Sequence, residues 1–195
     1  MDYRKLKKAL YLICVGYGFW QMQEHWFVIH YDSLPLLKFI PWWLSTPFFF
    51  IALGILEKHI PDTKFLKPLC IIMGVIDLAE WIIIVFDIKI PFELYMLQIL
   101  SSVISLYFNY QLITNISQLA KKCGYENIKG MLQIRTVHTI YVTVYTLLLP
   151  FAEKLMTWQF IPWVGWYNIV WMVGSVKTFI GYLKDLQKQE EKQVL

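Results

Sequence analysis

The chain has 195 residues, 57% of them hydrophobic, 17% aromatic and only 16% charged, with a mean hydropathy of +0.48. Soluble domains carry about a quarter of their residues charged, so this composition argues against a water-soluble domain. The formal charge of +4 comes from basic residues spread thinly between apolar runs rather than gathered on one arm or helix, which argues against a nucleic-acid surface.

Several apolar runs reach the roughly 20 residues needed to cross about 30 Å of hydrocarbon, and six spans are read along the chain. The expected fold is therefore all-α, a polytopic transmembrane bundle of six spans. Residues 1–195 form a single integral membrane domain with a short cytoplasmic tail, 184–195.

The first span is expected from Leu6 to Gln23. Its basic start and apolar centre resemble a signal peptide, but no small-x-small cleavage site follows, so it reads as an uncleaved helix. The next stretch, "EHWFVIHYDSLPLLKF", is too aromatic for a hydrated loop and too charged for a crossing, and is expected along the outer interface. Its Glu24, His25, His30 and Asp32 have no fixed ligand spacing, so no metal site is expected. The second span is expected from Pro41 to Leu56.

The third span, Leu66 to Phe86, contains "MGVIDLAEWIIIVFDI", with Asp77 and Glu80 three residues apart and so on one helix face. An ionisable group at mid-membrane costs at least about 2.5–3.5 kcal/mol on insertion scales and normally faces protein or water. That face is expected to turn inward, toward span five. The fourth span, Pro91 to Ile116, carries Asn109.

In the fifth span, Leu132 to Phe151, a wheel at about 100° per residue gathers Arg135, Thr136, His138, Thr139, Thr143, Tyr145 and Thr146 on one half. Ile134, Val137, Ile140, Val144, Leu147 and Leu148 fall on the other. The expectation is one face toward the interior and one toward lipid. The sixth span, Trp158 to Leu183, carries Asn168 and Lys177, and "LKDLQKQEEKQVL" extends its helix into the cytoplasm.

The Lys/Arg distribution sets the topology. With six spans, fifteen basic residues fall on one side and only Lys38, Lys89 and Lys154 on the other. The positive-inside rule then makes both termini cytoplasmic. Trp20, Trp26, Trp42, Trp43, Trp81, Trp158, Trp163 and Trp166 fit an aromatic belt at the outer interface, or an outer pocket for a flat or cationic ligand. Trp171 falls mid-membrane.

At about 1.5 Å per residue, Asp77 lies about 15 Å from the cytoplasmic end, His138 and Lys177 about 9 Å and Arg135 about 5 Å. Asn109 lies somewhat shallower than Asp77, and Asn168 somewhat deeper. These seven residues, Asp77, Glu80, Asn109, Arg135, His138, Asn168 and Lys177, are the candidate ligand- or proton-binding set. Asp77 and Glu80 would take a cation or proton, His138 would respond to pH, and Arg135 or Lys177 would be the counter-ion. The same residues could instead pair helices across the bundle.

Nucleotide, GxSxG and HExxH signatures are absent, and Cys14, Cys70 and Cys123 make no metal or redox pattern. No catalytic residue, metal or cofactor is expected. The leading reading is a small multi-pass protein that binds or translocates a small solute or protons. A membrane sensor, immunity or assembly subunit is the first alternative, and an acid–base enzyme using Asp77, Glu80 and His138 the second. The expected partners are the bilayer, a small solute or proton and a membrane protein; the expected location is a plasma membrane, bacterial by its compactness.

Overall fold

The computed structural model describes residues 2–29, 40–86, 88, 93–148 and 160–194; side chains at 21–29, 84, 93–98, 145, 148, 160–166 and 193–194 are outside the description. Among the described residues the protein is all-helical, with six α-helices: α1 (Tyr3–Ile29), α2 (Ser45–Leu56), α3 (Leu66–Val85), α4 (Glu93–Lys122), α5 (Ile128–Leu148) and α6 (Phe160–Val194). Short 3-10 turns, Trp42–Leu44 and Pro61–Phe65, precede α2 and α3.

Local chemistry sets the helix ends. Asp2 caps α1, its Oδ1 accepting from the Lys5 N–H at 3.1 Å. The Lys5 side chain also pairs with it, at 2.8 Å, and holds its carboxyl below the usual carboxylate range. At the far end of α4, Gly124 adopts φ +76°. The Tyr125 N–H then reaches Ala120 O at 2.9 Å and the Gly124 N–H reaches Lys121 O at 3.0 Å, the Schellman pattern that closes a helix on a left-handed glycine. Tyr125 then packs on Phe179 and Tyr182, with ring centroids 5.3 Å from each, and tethers the α4–α5 turn to α6.

Each helix packs on its chain neighbours, and α1 packs on α6, so the six form a closed ring. Two tight crossings fix one side. Gly16 on α1 admits the Phe49 ring, and Gly74 on α3 admits Thr46, where a Cβ would lie 2.5 Å from the Thr46 methyl. Lys67 at the start of α3 pairs with Glu57 just after α2. One end of the ring gathers residues 2–8, the α2–α3 link, the α4–α5 turn and the tail of α6, and is the basic end.

The helix positions follow the sequence expectation, with longer reach. The backbone of α1 stays helical to Ile29, through the first part of the expected interfacial stretch; its side chains there, and all of 30–39, lie outside the described residues. Helix α4 extends six residues past Ile116, and α6 runs on through the tail as expected.

The expectation of six membrane-length apolar spans needs correction: among the described residues, no helix is long and apolar enough to cross a membrane. Helix α2, at 12 residues, is about 18 Å long. Helix α3 carries Lys67, Asp77 and Glu80 within 20 residues, and α5 is interrupted by Lys129, Arg135, His138 and four threonines.

Helix α3 packs on α2 and α4, whereas α5 packs on α4 and α6, so α3 and α5 are not neighbours in the ring, and Asp77 and Glu80 are buried. One facing relationship is corrected, on α5. The buried stripe of α5 is Met131, Ile134, His138 and Val142, not the expected polar half. Thr136, Thr139, Thr143 and Thr146 instead return their hydroxyls to the carbonyls of Leu132, Arg135, Thr139 and Val142 at 2.7–3.0 Å. A threonine satisfied by its own helix is free of any need for a polar surrounding, so the wheel overstated the polarity of that face.

Candidate functional site

Five of the seven candidate residues are buried inside the ring: Asp77 (1% exposed), Glu80 (3%), Asn109 (1%), His138 (2%) and Asn168 (1%). Counting along each helix from the basic end places Asp77, Asn109 and His138 about 15–20 Å deep, with Glu80 one turn beyond Asp77; Asn109, His138 and Asn168 each lie one turn beyond a residue lining the same cavity, Ile113, Ile134 and Met172. The remaining two lie elsewhere. Lys177 is exposed on the outside of α6, and Arg135 is half-buried in the α4–α5 groove.

The layer is organised around α1. Tyr17 donates its hydroxyl proton to Asn109 Oδ1 at 2.6 Å, spanning the ring from α1 to α4. The Asn109 amide in turn donates to Ser105 O at 2.8 Å, which fixes its orientation. Aromatic rings surround this bond: Tyr17 meets Phe49 edge-on at 5.0 Å, Phe49 meets Phe108 at 5.4 Å, and Trp20 lies 6.0 Å from Tyr17. Trp20 then meets His138 on α5, with centroids 6.4 Å apart.

His138 is the exceptional member. Neither of its ring nitrogens has a hydrogen-bond partner. A neutral imidazole offers one donor and one acceptor, and leaving such groups buried and unbonded costs about 1–3 kcal/mol each. Buried groups of this kind are retained where something other than stability requires them.

Toward the basic end the interior becomes apolar. Ile113, Ile116, Met131, Ile134, Met172 and Val176, with Tyr17 and Ser175, enclose a cavity of about 10 Å³. That volume suits at most a single water, which would need two or more polar partners to stay. Beyond it lie Leu6, Leu10, Leu119, Phe179 and Leu183, all fully buried.

Arg135 is held in the groove by a bond from Nη1 to Thr114 Oγ1 at 3.0 Å and by the Tyr110 ring, whose centroid is 4.5 Å from its Cζ. Near Glu80, the Trp81 ring stands 6.4 Å from that of Trp43. The side chains of Trp26, Trp158, Trp163 and Trp166, and residues Glu24, His25, His30 and Asp32, lie outside the described set. Among the described residues, no group of three His, Cys, Asp or Glu side chains could hold a metal ion.

Two members of the layer were missed in the sequence. Tyr17 sits in an apolar run with no polar neighbour to mark it, and its counted depth, about 20 Å, is the one signal that pairs it with Asn109. Trp20 was assigned to the belt, although it is 2% exposed and faces His138. Comparison with protein-family models, curated proteins and solved structures finds no match to this chain.

Proposed function

We propose that this chain is a polytopic membrane protein whose six-helix ring, with both termini cytoplasmic, binds a small solute or a proton in the layer of Asp77, Glu80, Asn109, His138 and Asn168. The observation that carries this reading is an inversion of polarity, clearest on α3. Its Asp77 and Glu80 are buried, while Ile71, Ile72, Val75, Leu78 and Ile82 on the same helix are exposed. Val137, Ile140, Val144 and Leu147 continue the apolar exterior on α5. Water would favour the opposite arrangement, and an apolar exterior this extensive calls for lipid or partner protein. A helix within such a ring needs apolar residues only on its outward face, which is how averages over whole helices can fall short.

Binding rather than pairing alone is favoured by His138, because a residue serving only to hold helices together would be hydrogen-bonded. An acid–base enzyme is less well supported, since that chemistry needs a carboxylate in hydrogen-bond reach of His138. A subunit role has one observation in its favour: Lys177 and Thr178 are exposed on α6 between Gly174 and Gly181, beside which a Cβ would meet nothing.

The test is thermal stabilisation of the purified chain by a ligand panel across pH, compared with Asp77→Asn, Glu80→Gln and His138→Leu. Loss of a ligand or pH response in these variants is the expected result. A response identical in all four proteins would overturn the binding reading.

A further inference from the structure

Among the described residues, Arg135 is a cation without an anion. Its guanidinium makes one hydrogen bond, to Thr114, and among the described residues no carboxylate pairs with it. Its Nε is buried without an acceptor. Yet it is held in place, close enough to the Tyr110 ring for cation–π attraction and anchored across α4 and α5. A fixed guanidinium of this kind suits two oxygens of a phosphate.

The surface around it changes character at its own level. Toward the basic end, the exposed residues on the face of α4 that carries Thr114 are Gln118 and Lys121. In the other direction they are Tyr110, Tyr107, Val103 and Leu100. One face of α4 therefore runs from a basic end, past a fixed guanidinium, onto an aromatic and aliphatic track.

We propose that the α4–α5 groove is a binding site for an anionic phospholipid of the cytoplasmic leaflet, its phosphate on Arg135 and its acyl chains along Tyr107 and Val103. The site rests on the membrane reading given above. Charge complementarity selects the occupant: Lys121, exposed on the same face of α4, attracts an anionic headgroup, the guanidinium fixes its phosphate, and only a lipid also fills the apolar track. Thr114 is kept from competing for the phosphate, because its hydroxyl proton is already given to Tyr110 O at 2.7 Å.

The experiment measures the melting temperature of the detergent-purified full chain with phosphatidylglycerol, with phosphatidylcholine and with inorganic phosphate. The wild type is expected to gain more from phosphatidylglycerol than from phosphatidylcholine, and nothing comparable from inorganic phosphate. Arg135→Gln should weaken phosphatidylglycerol binding about fivefold, the worth of one basic contact at a membrane surface, while Lys129→Gln leaves most of it. Arg135→Lys keeps the charge, guards against a loss of fold, and should retain part of the preference. An unchanged preference in Arg135→Gln, or an equal shift from inorganic phosphate, would overturn the site. Carbonate extraction separates the two readings. A chain released into the supernatant overturns both, whereas a chain retained in the pellet with Arg135→Gln unaffected overturns this one alone.

Discussion

Replacing His138 with leucine should stabilise the protein while abolishing its response to ligand or pH. The residue is 2% exposed, and both ring nitrogens lack partners. Each such group costs about 1–3 kcal/mol. Against this stands the edge contact with Trp20, worth about 0.5–1.5 kcal/mol. Leucine branches at the same carbon and fills a similar space, so the net gain should be about 0.5–5.5 kcal/mol. For a chain of this size that is a rise in melting temperature of about 1–13 °C. The assay is thermal unfolding in one detergent and lipid mixture, with wild type and variant side by side. A fall of several degrees would refute the reasoning, because it would mean that the imidazole is hydrogen-bonded in the folded protein and serves as a structural link.

Tyr17→Phe should cost about 1–2 kcal/mol by leaving the Asn109 carbonyl oxygen without its 2.6 Å donor. The double change Tyr17→Phe with Asn109→Leu should recover much of that loss in the same melting assay. Gly74→Ala should cost about 1–3 kcal/mol by forcing a Cβ against Thr46, and Thr46→Ala, which removes the two nearest atoms, should restore part of it. Burial raises the Cys123 thiol above its ordinary value, the N-terminal charge opposing it weakly. Its thiolate fraction at neutral pH is therefore reduced, and maleimide labelling should accelerate at a higher pH than for a free cysteine. A labelling profile matching free cysteine would refute this.

Much of the helix layout was legible because apolar runs separated by proline, glycine and lysine leave few alternatives. Burial of Asp77 and Glu80 was legible too, since their helix is otherwise aliphatic. The outward face of α5 was legible, with Val137, Ile140, Val144 and Leu147 exposed as expected; its inward face was not, and the reason is chemical: a wheel scores threonine as polar, whereas Thr136, Thr139, Thr143 and Thr146 spend their hydroxyls on the preceding turn. Arg135 and Lys177 were drawn into the core by depth alone, but depth says nothing about the direction in which a side chain leaves its helix. The Tyr17–Asn109 bond was illegible for a related reason, as its partners are 92 positions apart and only the closure of the ring brings them together.

The layering of the interior separates binding from movement. A solute or proton bound among Asp77, Asn109 and His138 faces, on the basic side, a layer formed by Ile113, Ile116, Ile134, Met172 and Val176. The cavity there, about 10 Å³, offers no chain of polar groups along which water could line up. Passage toward the basic end therefore requires the helices to part at this layer, where α1, α4, α5 and α6 meet. The polar layer can be occupied without such parting. On the proposed reading the ring in this conformation would bind without passage, and any transport would depend on a second arrangement in which the isoleucines separate.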